Sequence, residues 1–179
     1  MNNKRHAVFL IATFVTLAFL CLPAFAEEKR LPEIDSLSSL KNLQGVEIAV
    51  VGVNLPEEVG LTQVQIKSEV ELKLRAEGVR VLTGDEDSRT PGSPSLHVRV
   101  HTMDSPDQDL YVYSIRVELR QWATMLRDWE IKIYVPTWST EVMGITGTAN
   151  VKTTVLDAVR ESIGRFTKAY RGVNPGIGI

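Results

Sequence analysis

YVYSIRVELR, residues 111–120, decides the fold class of this chain, because apolar and polar residues alternate along most of it. A period of two is typical of a β-strand with one buried and one solvated face. The same alternation recurs in residues 96–101 and 131–135. We therefore predict three consecutive antiparallel strands.

Cross-strand chemistry predicts how these strands pair. Folding the first hairpin about Pro106 and Asp107 sets Leu96 opposite Val117. Folding the second about Leu126 sets Leu119 opposite Ile131, and it pairs Arg120 with Glu130 and Glu118 with Lys132 on the outer face. Opposite charges directly across a pair stabilise a register. Pro136 has no N–H to donate, so the last strand is expected to be an edge or to bulge there.

Upstream, residues 46–53 are nearly continuous apolar sequence rich in β-branched side chains, which predicts a central strand buried on both faces. Thr62 and Gln65 form a capping-box pattern that begins a helix running to Glu77. Its predicted apolar stripe includes Leu72, and Gly78 supplies the C-terminal cap. Residues 79–83 then predict a second strand, parallel to the first because a helix connects the two.

Downstream, residues 84–94 are a loop by their proline and glycine content, and residues 139–149 favour no element. Asn150 is the predicted N-cap of a last helix ended by Gly172, Asn174 and Pro175. Its apolar stripe consists of Val151, Val155, Val159, Ile163, Phe166 and Tyr170. The predicted fold is α+β, a two-layer sandwich in the order β-α-β-β-β-β-α. A mixed, mainly antiparallel sheet of about five strands carries both helices on one face.

Residues 1–26 have the pattern of a secretory signal peptide: an early positive charge, an uncharged apolar run and small residues before the expected cleavage after Ala26. The expected location is the periplasm or the extracellular space. Two alternatives stay open, an uncleaved leader and lipidation of Cys21. Residues 27–44 are predicted to be a tether, 45–175 a single domain, and 176–179 a tail.

Composition narrows the class of partner. The mature chain has no cysteine, because Cys21 leaves with the leader. The full chain has 20 Lys and Arg against 22 Asp and Glu, so loss of Lys4 and Arg5 leaves 18 against 22, a net charge of −4. Nucleic-acid binding is not expected, because it requires a concentrated positive surface. No membrane-spanning helix is expected after cleavage.

Two groups of residues are candidates for binding. The first is a patch of cations on the outer sheet face that suits an anionic ligand, and its alternative is an ordinary solvated face: His97, Arg99, His101 and Arg116. The second is an aromatic partner surface, whose alternative is core packing and hairpin closure: Trp122, Arg127, Trp129, Tyr134 and Trp138. His97 and His101 stand about 13 Å apart along a strand, too far to bind one metal ion together.

Catalytic patterns are missing from the sequence. No serine lies in a Gly-x-Ser-x-Gly elbow, and Gly144–Gly147 lacks the lysine of a phosphate loop. Glu118 and Glu130 are interpreted as ion-pair partners. The acidic loops around residues 85–87 and 104–109 lack calcium-loop spacing. We expect no cofactor and no bound metal.

Three stretches, residues 110–121, Thr-Trp-Ser-Thr at 137–140 and Val-Asn-Pro at 173–175, resemble a family of small exported bacterial proteins of uncharacterised function. The architecture more loosely resembles envelope accessory modules. The export pattern, together with the missing catalytic patterns, predicts a non-catalytic exported module that binds a protein, a peptide or a lipid headgroup. The alternative is a hydrolase whose active site is dispersed along the sequence.

Overall fold

The structure, a computed structural model, describes residues 36–175 apart from the side chains of Glu58 and Pro106. The predicted signal peptide, residues 27–35 of the predicted tether and the tail at 176–179 lie outside these residues. Among the helices that are described, none is long and apolar enough to cross a membrane.

Four strands and three α-helices make up the described part of the chain. In chain order they are β1 (Glu47–Val53), α1 (Gln63–Ala76), α2 (Gly84–Asp87), β2 (Ser95–Ser105), β3 (Leu110–Met125), β4 (Asp128–Gly147) and α3 (Val151–Val173). The sheet order is β1-β2-β3-β4, with β1 parallel to β2 and the other pairs antiparallel. The predicted α+β class with a mixed, mainly antiparallel sheet is confirmed, whereas the prediction of five strands is wrong.

The missing fifth strand is the one predicted at residues 79–83. Only Val81 forms a bridge, parallel to Val46, and the Leu82 N–H donates to the Val46 carbonyl at 2.9 Å. Thr83 and Glu86 form a capping box that starts α2 immediately afterwards. Helix α2 therefore begins before a longer strand can pair with β1. Residues 84–94, which were predicted as a loop, begin with this helix.

Strand β1 is not central, contrary to the prediction from its apolar sequence. Among the described strands, it pairs along its length only with β2. Ile48 is buried, but Val51 and Val53 are 45% and 38% exposed. The continuous apolar sequence predicts burial on both faces of β1. In the structure, one face of β1 is partly exposed to solvent.

The first hairpin keeps its predicted faces but shifts its pairing by two residues. Leu96 lies opposite Leu119, and Val98 lies opposite Val117. A 3-10 turn over Pro106–Gln108, followed by Asp109 with φ of 52°, lengthens the connection beyond a two-residue turn. Because the shift is an even number, every side chain remains on its predicted side.

The second hairpin differs more, because β4 continues through Pro136 to Gly147. Arg120 lies opposite Pro136 and Glu118 opposite Ser139, so the predicted pairs of Arg120 with Glu130 and Glu118 with Lys132 do not form. Register shifts between Leu119 and Arg120 and between Thr124 and Met125 absorb extra residues of β4. Pro136 lies on an edge strand beside a bulge, as predicted, and residues 139–147 continue that strand.

Both long helices bury a stripe against the core. Thr62 Oγ1 accepts a hydrogen bond from the Gln65 N–H at 3.2 Å, and Gly78 has φ of 76°, as the cap predictions require. All six predicted stripe residues of α3 are buried, whereas Leu72 of α1 is 65% exposed and its predicted burial is wrong. Helix α1 packs on β1 and α3, and α3 packs on β3 and β4.

Candidate functional site

One face of the sheet, here called the open face, presents side chains that are exposed or half-buried. It carries the odd-numbered residues of β2 from His97 to Met103, and the even-numbered residues from Leu96 to Thr102 are buried on the other face. The four residues of the predicted anionic-ligand patch all lie on this face: His97, Arg99, His101 and Arg116. The structure thus brings them onto one surface, and their binding role stays a prediction.

Acidic side chains lie among these cations. Arg116 Nε is 3.4 Å from Glu118 Oε1 and 3.7 Å from Glu141 Oε2, and Arg99 lies opposite Arg116. Two guanidinium groups and two carboxylates therefore share the middle of the open face. Exposed ion pairs contribute little stability. The main consequence of these carboxylates is that the middle of the open face carries charges of both signs and is not cationic.

The β3–β4 hairpin extends past the rest of the sheet. The β2–β3 register ends at Ser95 and Arg120. Beyond it, residues 121–124 pair with residues 132–135, and Met125 pairs with Asp128. We call residues 121–135 the hairpin tip. Four of its large apolar side chains are exposed: Leu126 (85%), Trp129 (69%), Trp122 (52%) and Ile131 (38%). Burying a large apolar side chain is worth about 1.5–3 kcal/mol, so the tip is the strongest candidate binding surface.

Tyr134 joins the hairpin tip to the predicted anionic-ligand patch. Its ring centroid is 5.4 Å from that of Trp122 and 6.4 Å from that of His97, and the Arg120 guanidinium stands 5.7 Å from the Tyr134 centroid. Half-buried aromatic contacts of this kind hold Trp122 in place on the open face. The two predicted surfaces are consequently continuous.

Trp138 belongs to the core and not to the partner surface. It is 8% exposed, and its ring meets Phe166 edge to face at 5.3 Å between centroids. Sequence reasoning included it because it lies near the other tryptophans. It missed Leu126 and Ile131, because these residues become candidates only through their position at the end of the projecting hairpin.

A polar cluster lies beside α2, where β1 and β2 begin and Arg120 of β3 lies opposite Ser95. Asp87 Oδ1, Ser95 Oγ and Arg120 Nε are buried and have no hydrogen-bond partner among the described residues. Burial lowers the pKa of His97, and the Arg120 guanidinium lowers it further.

Asp87 offers a test of this cluster by pH. Burial raises the pKa of its carboxyl, and the nearby Glu47 carboxylate raises it further. The folded state therefore binds the proton more tightly than the unfolded state, so ionised Asp87 opposes folding as the pH rises above its ordinary pKa of 3.8. Asp87→Asn is expected to raise the thermal midpoint at pH 7, and the gain should disappear in acid. Calorimetry across pH measures this, with Asp85→Asn in the same helix as the control. An equal gain at every pH would contradict the prediction.

Other candidate groups are not assembled. Across residues 36–175, no three His, Cys, Asp or Glu side chains are grouped so that they could hold a metal ion. Glu118 lies within the sheet and Glu130 in the hairpin tip, so these two carboxylates do not form a pair.

Together, these observations define a small α+β protein with an open sheet face and a projecting aromatic hairpin. Comparisons with known proteins do not narrow this description to a family. No protein-family description matches the chain, and no curated protein is similar to it. Among solved structures, it is similar to the PelC dodecamer from Paraburkholderia phytofirmans, with 14% identity and a TM-score of 0.39 over 73% of this chain and 92% of that one. A similarity this low assigns neither a family nor a function.

Proposed function

We propose that this protein is an exported, non-catalytic envelope module that binds a lipid surface with its hairpin tip. The observation that carries the proposal is the exposure of Leu126, Trp129, Trp122 and Ile131 at the end of one projecting hairpin. The export pattern of residues 1–26 agrees with such a role, since an exported protein works beside membranes.

The proposal includes a two-layer arrangement in which α1 and α3 together cover the sheet face opposite the open face. Buried residues of β2 and β3 on that opposite face support it, as do the contacts of α3 with β3 and β4 and of α1 with α3. This arrangement leaves the open face and the hairpin tip free to meet a partner.

The shape and chemistry of the tip favour lipid over protein. Leu126, its most exposed residue, lies in the two-residue turn at the end of the ribbon, so the tip is convex and suits a deformable partner. Tryptophan has an apolar ring and a polar N–H, which suit the boundary between headgroups and acyl chains. Trp122 and Trp129 supply two such rings.

The charges of the tip predict which lipids it needs. Arg127 and Lys132 are balanced by Asp128 and Glu130, so residues 121–135 carry no net charge. Apolar insertion should therefore dominate over attraction to anionic headgroups. Binding is expected to be almost as strong to zwitterionic vesicles as to anionic ones, and to change little with salt.

Vesicle co-sedimentation tests the proposal. The protein beginning at Glu27 is the form to use, because an attached apolar leader would bind lipid by itself. We expect it to bind phosphatidylcholine vesicles with or without phosphatidylglycerol. The double substitution Leu126→Ser and Trp129→Ser should weaken binding at least about tenfold, since it removes the two most exposed apolar groups of the tip.

A matched control separates the tip from general surface hydrophobicity. Met143→Ser with Ile145→Ser removes two side chains that are 74% and 67% exposed but lie elsewhere on the open face. This variant should bind vesicles as the native protein does. Failure of the native protein to bind, or equal weakening in both variants, would refute the proposal. Tip-dependent capture of a protein without vesicle binding would assign the tip to a protein partner instead.

A further inference from the structure

Strand β4 forms one edge of the sheet, since no described strand lies beyond it. An edge strand presents unpaired backbone N–H and carbonyl groups that another strand can bind. Natural proteins block such edges with prolines, bulges, charged side chains or covering segments. The part of β4 that carries these features is therefore a blocked edge, and the part that lacks them is available to another strand.

Apart from the charge of Glu141, the blocking features of β4 lie in its first half. Pro136, Lys132 and both register shifts occur there. Thr137 is also covered, because its carbonyl accepts a hydrogen bond from Ser39 Oγ at 3.2 Å. Residues 138–147 have no proline and keep an unbroken register with β3. The available edge is thus the second half of β4.

The open face beside this available edge is apolar. Met143 and Ile145 are 74% and 67% exposed. Ile145 lies opposite Val112, which lies opposite Met103, and both of these are also exposed. An incoming strand would place its own side chains next to Met143 and Ile145 and extend this apolar surface by one strand.

Glu141 is the single charged residue of residues 138–147. Its carboxylate is 44% exposed and 3.7 Å from Arg116, which is closer to Glu118, while Ser114 donates to it at 3.2 Å. This loosely paired carboxylate complements a cation on an incoming strand. A second copy of β4 has no basic residue in the same stretch, so it could not supply that cation.

We propose that residues 138–147 bind an extended segment of a partner polypeptide by strand addition. Side chains on one face of a strand are spaced two residues apart, and Glu141, Met143 and Ile145 share the open face. The segment recognised therefore has a basic residue followed or preceded by two apolar residues at every second position. The site is separate from the hairpin tip and does not depend on its proposed lipid binding.

A displayed library of random linear peptides, selected on the purified protein, tests this site. Enriched peptides should share the alternating pattern of two apolar residues and one basic residue. Their binding should fall about tenfold when Met143→Lys and Ile145→Lys are combined, because lysine on an edge strand opposes pairing and the two substitutions remove the apolar neighbours of the peptide's side chains. Glu141→Lys should shift selection toward peptides with an acidic residue at the basic position.

Two further measurements locate the peptide. Bound peptide should slow amide hydrogen exchange in residues 138–147, and Leu126→Lys at the hairpin tip should leave peptide affinity unchanged. The proposal is overturned by an absence of enriched peptides, by peptides that protect another region, or by affinity insensitive to the Met143 and Ile145 substitutions. Concentration-dependent dimerisation abolished by those substitutions would also overturn it, by showing that a second copy occupies the edge.

Discussion

Trp138→Ala is expected to lower the free energy of unfolding by about 3–5 kcal/mol, the usual cost of removing a buried aromatic side chain. Trp138 is 8% exposed, and its ring packs edge to face on Phe166, which is itself fully buried. Phe166 in turn stacks on Tyr170 at 6.3 Å between centroids. A cavity at Trp138 would therefore remove an aromatic contact between β4 and α3. Denaturant unfolding monitored by circular dichroism measures the loss.

Trp129→Ala is the matched control for this prediction. The same substitution is made nine residues away on the same strand, but Trp129 is 69% exposed in the hairpin tip. Its effect on the free energy of unfolding should stay within about 0.5 kcal/mol. If the two alanine variants had similar stabilities, the assignment of Trp138 to the core and Trp129 to the surface would be wrong.

Asn174→Ala is expected to cost about 2–3 kcal/mol, because it leaves the buried Leu40 carbonyl without this partner and removes two further side-chain hydrogen bonds. Asn174 Nδ2 donates to the Leu40 carbonyl at 2.8 Å and to the Tyr170 carbonyl at 2.9 Å. Its Oδ1 accepts from the Asn42 N–H at 2.7 Å. One buried side chain thus ties the end of α3 to the segment before β1. Thermal and denaturant unfolding measure the effect.

Asn150→Ala is the corresponding control at the other end of α3. Asn150 occupies the N-cap position predicted from the sequence, but its side chain makes no capping hydrogen bond. Its replacement should therefore change stability by no more than about 0.5 kcal/mol, well below the cost of losing a working cap. A loss as large as that of Asn174→Ala would show that the cap forms in solution.

Local patterns predicted local structure well in this protein. The Thr62 cap and the buried stripe of α3 follow from spacing within one turn or a few turns, and the structure reproduces them. The predicted cap at Asn150 fails in its hydrogen bond, because a 3-10 turn over Thr148–Asn150 precedes the helix. The position of the N-cap residue was predictable from the sequence, whereas its side-chain hydrogen bond was not.

The candidate surfaces were predictable only in part. The aromatic hairpin stood out because tryptophan is uncommon and its side chain is large. The apolar residues of the available edge did not, since Met143 and Ile145 fall after Pro136 in a stretch whose alternation is broken by glycine and threonine. The prediction for β1 was wrong in the opposite direction. Its apolar sequence predicted burial on both faces, but Val51 and Val53 are partly exposed.

The sequence by itself determined the α+β class and the side of the sheet on which most strand residues lie, because these depend on periods of two and about four residues that any fold must respect. It also carries the export pattern of residues 1–26. Only the tertiary structure decided the pairing of β4 with β3, the loss of the fifth strand and the separation of Trp138 from Trp122 and Trp129. Those features depend on bulges, turn lengths and contacts between residues distant in sequence, which no local period specifies.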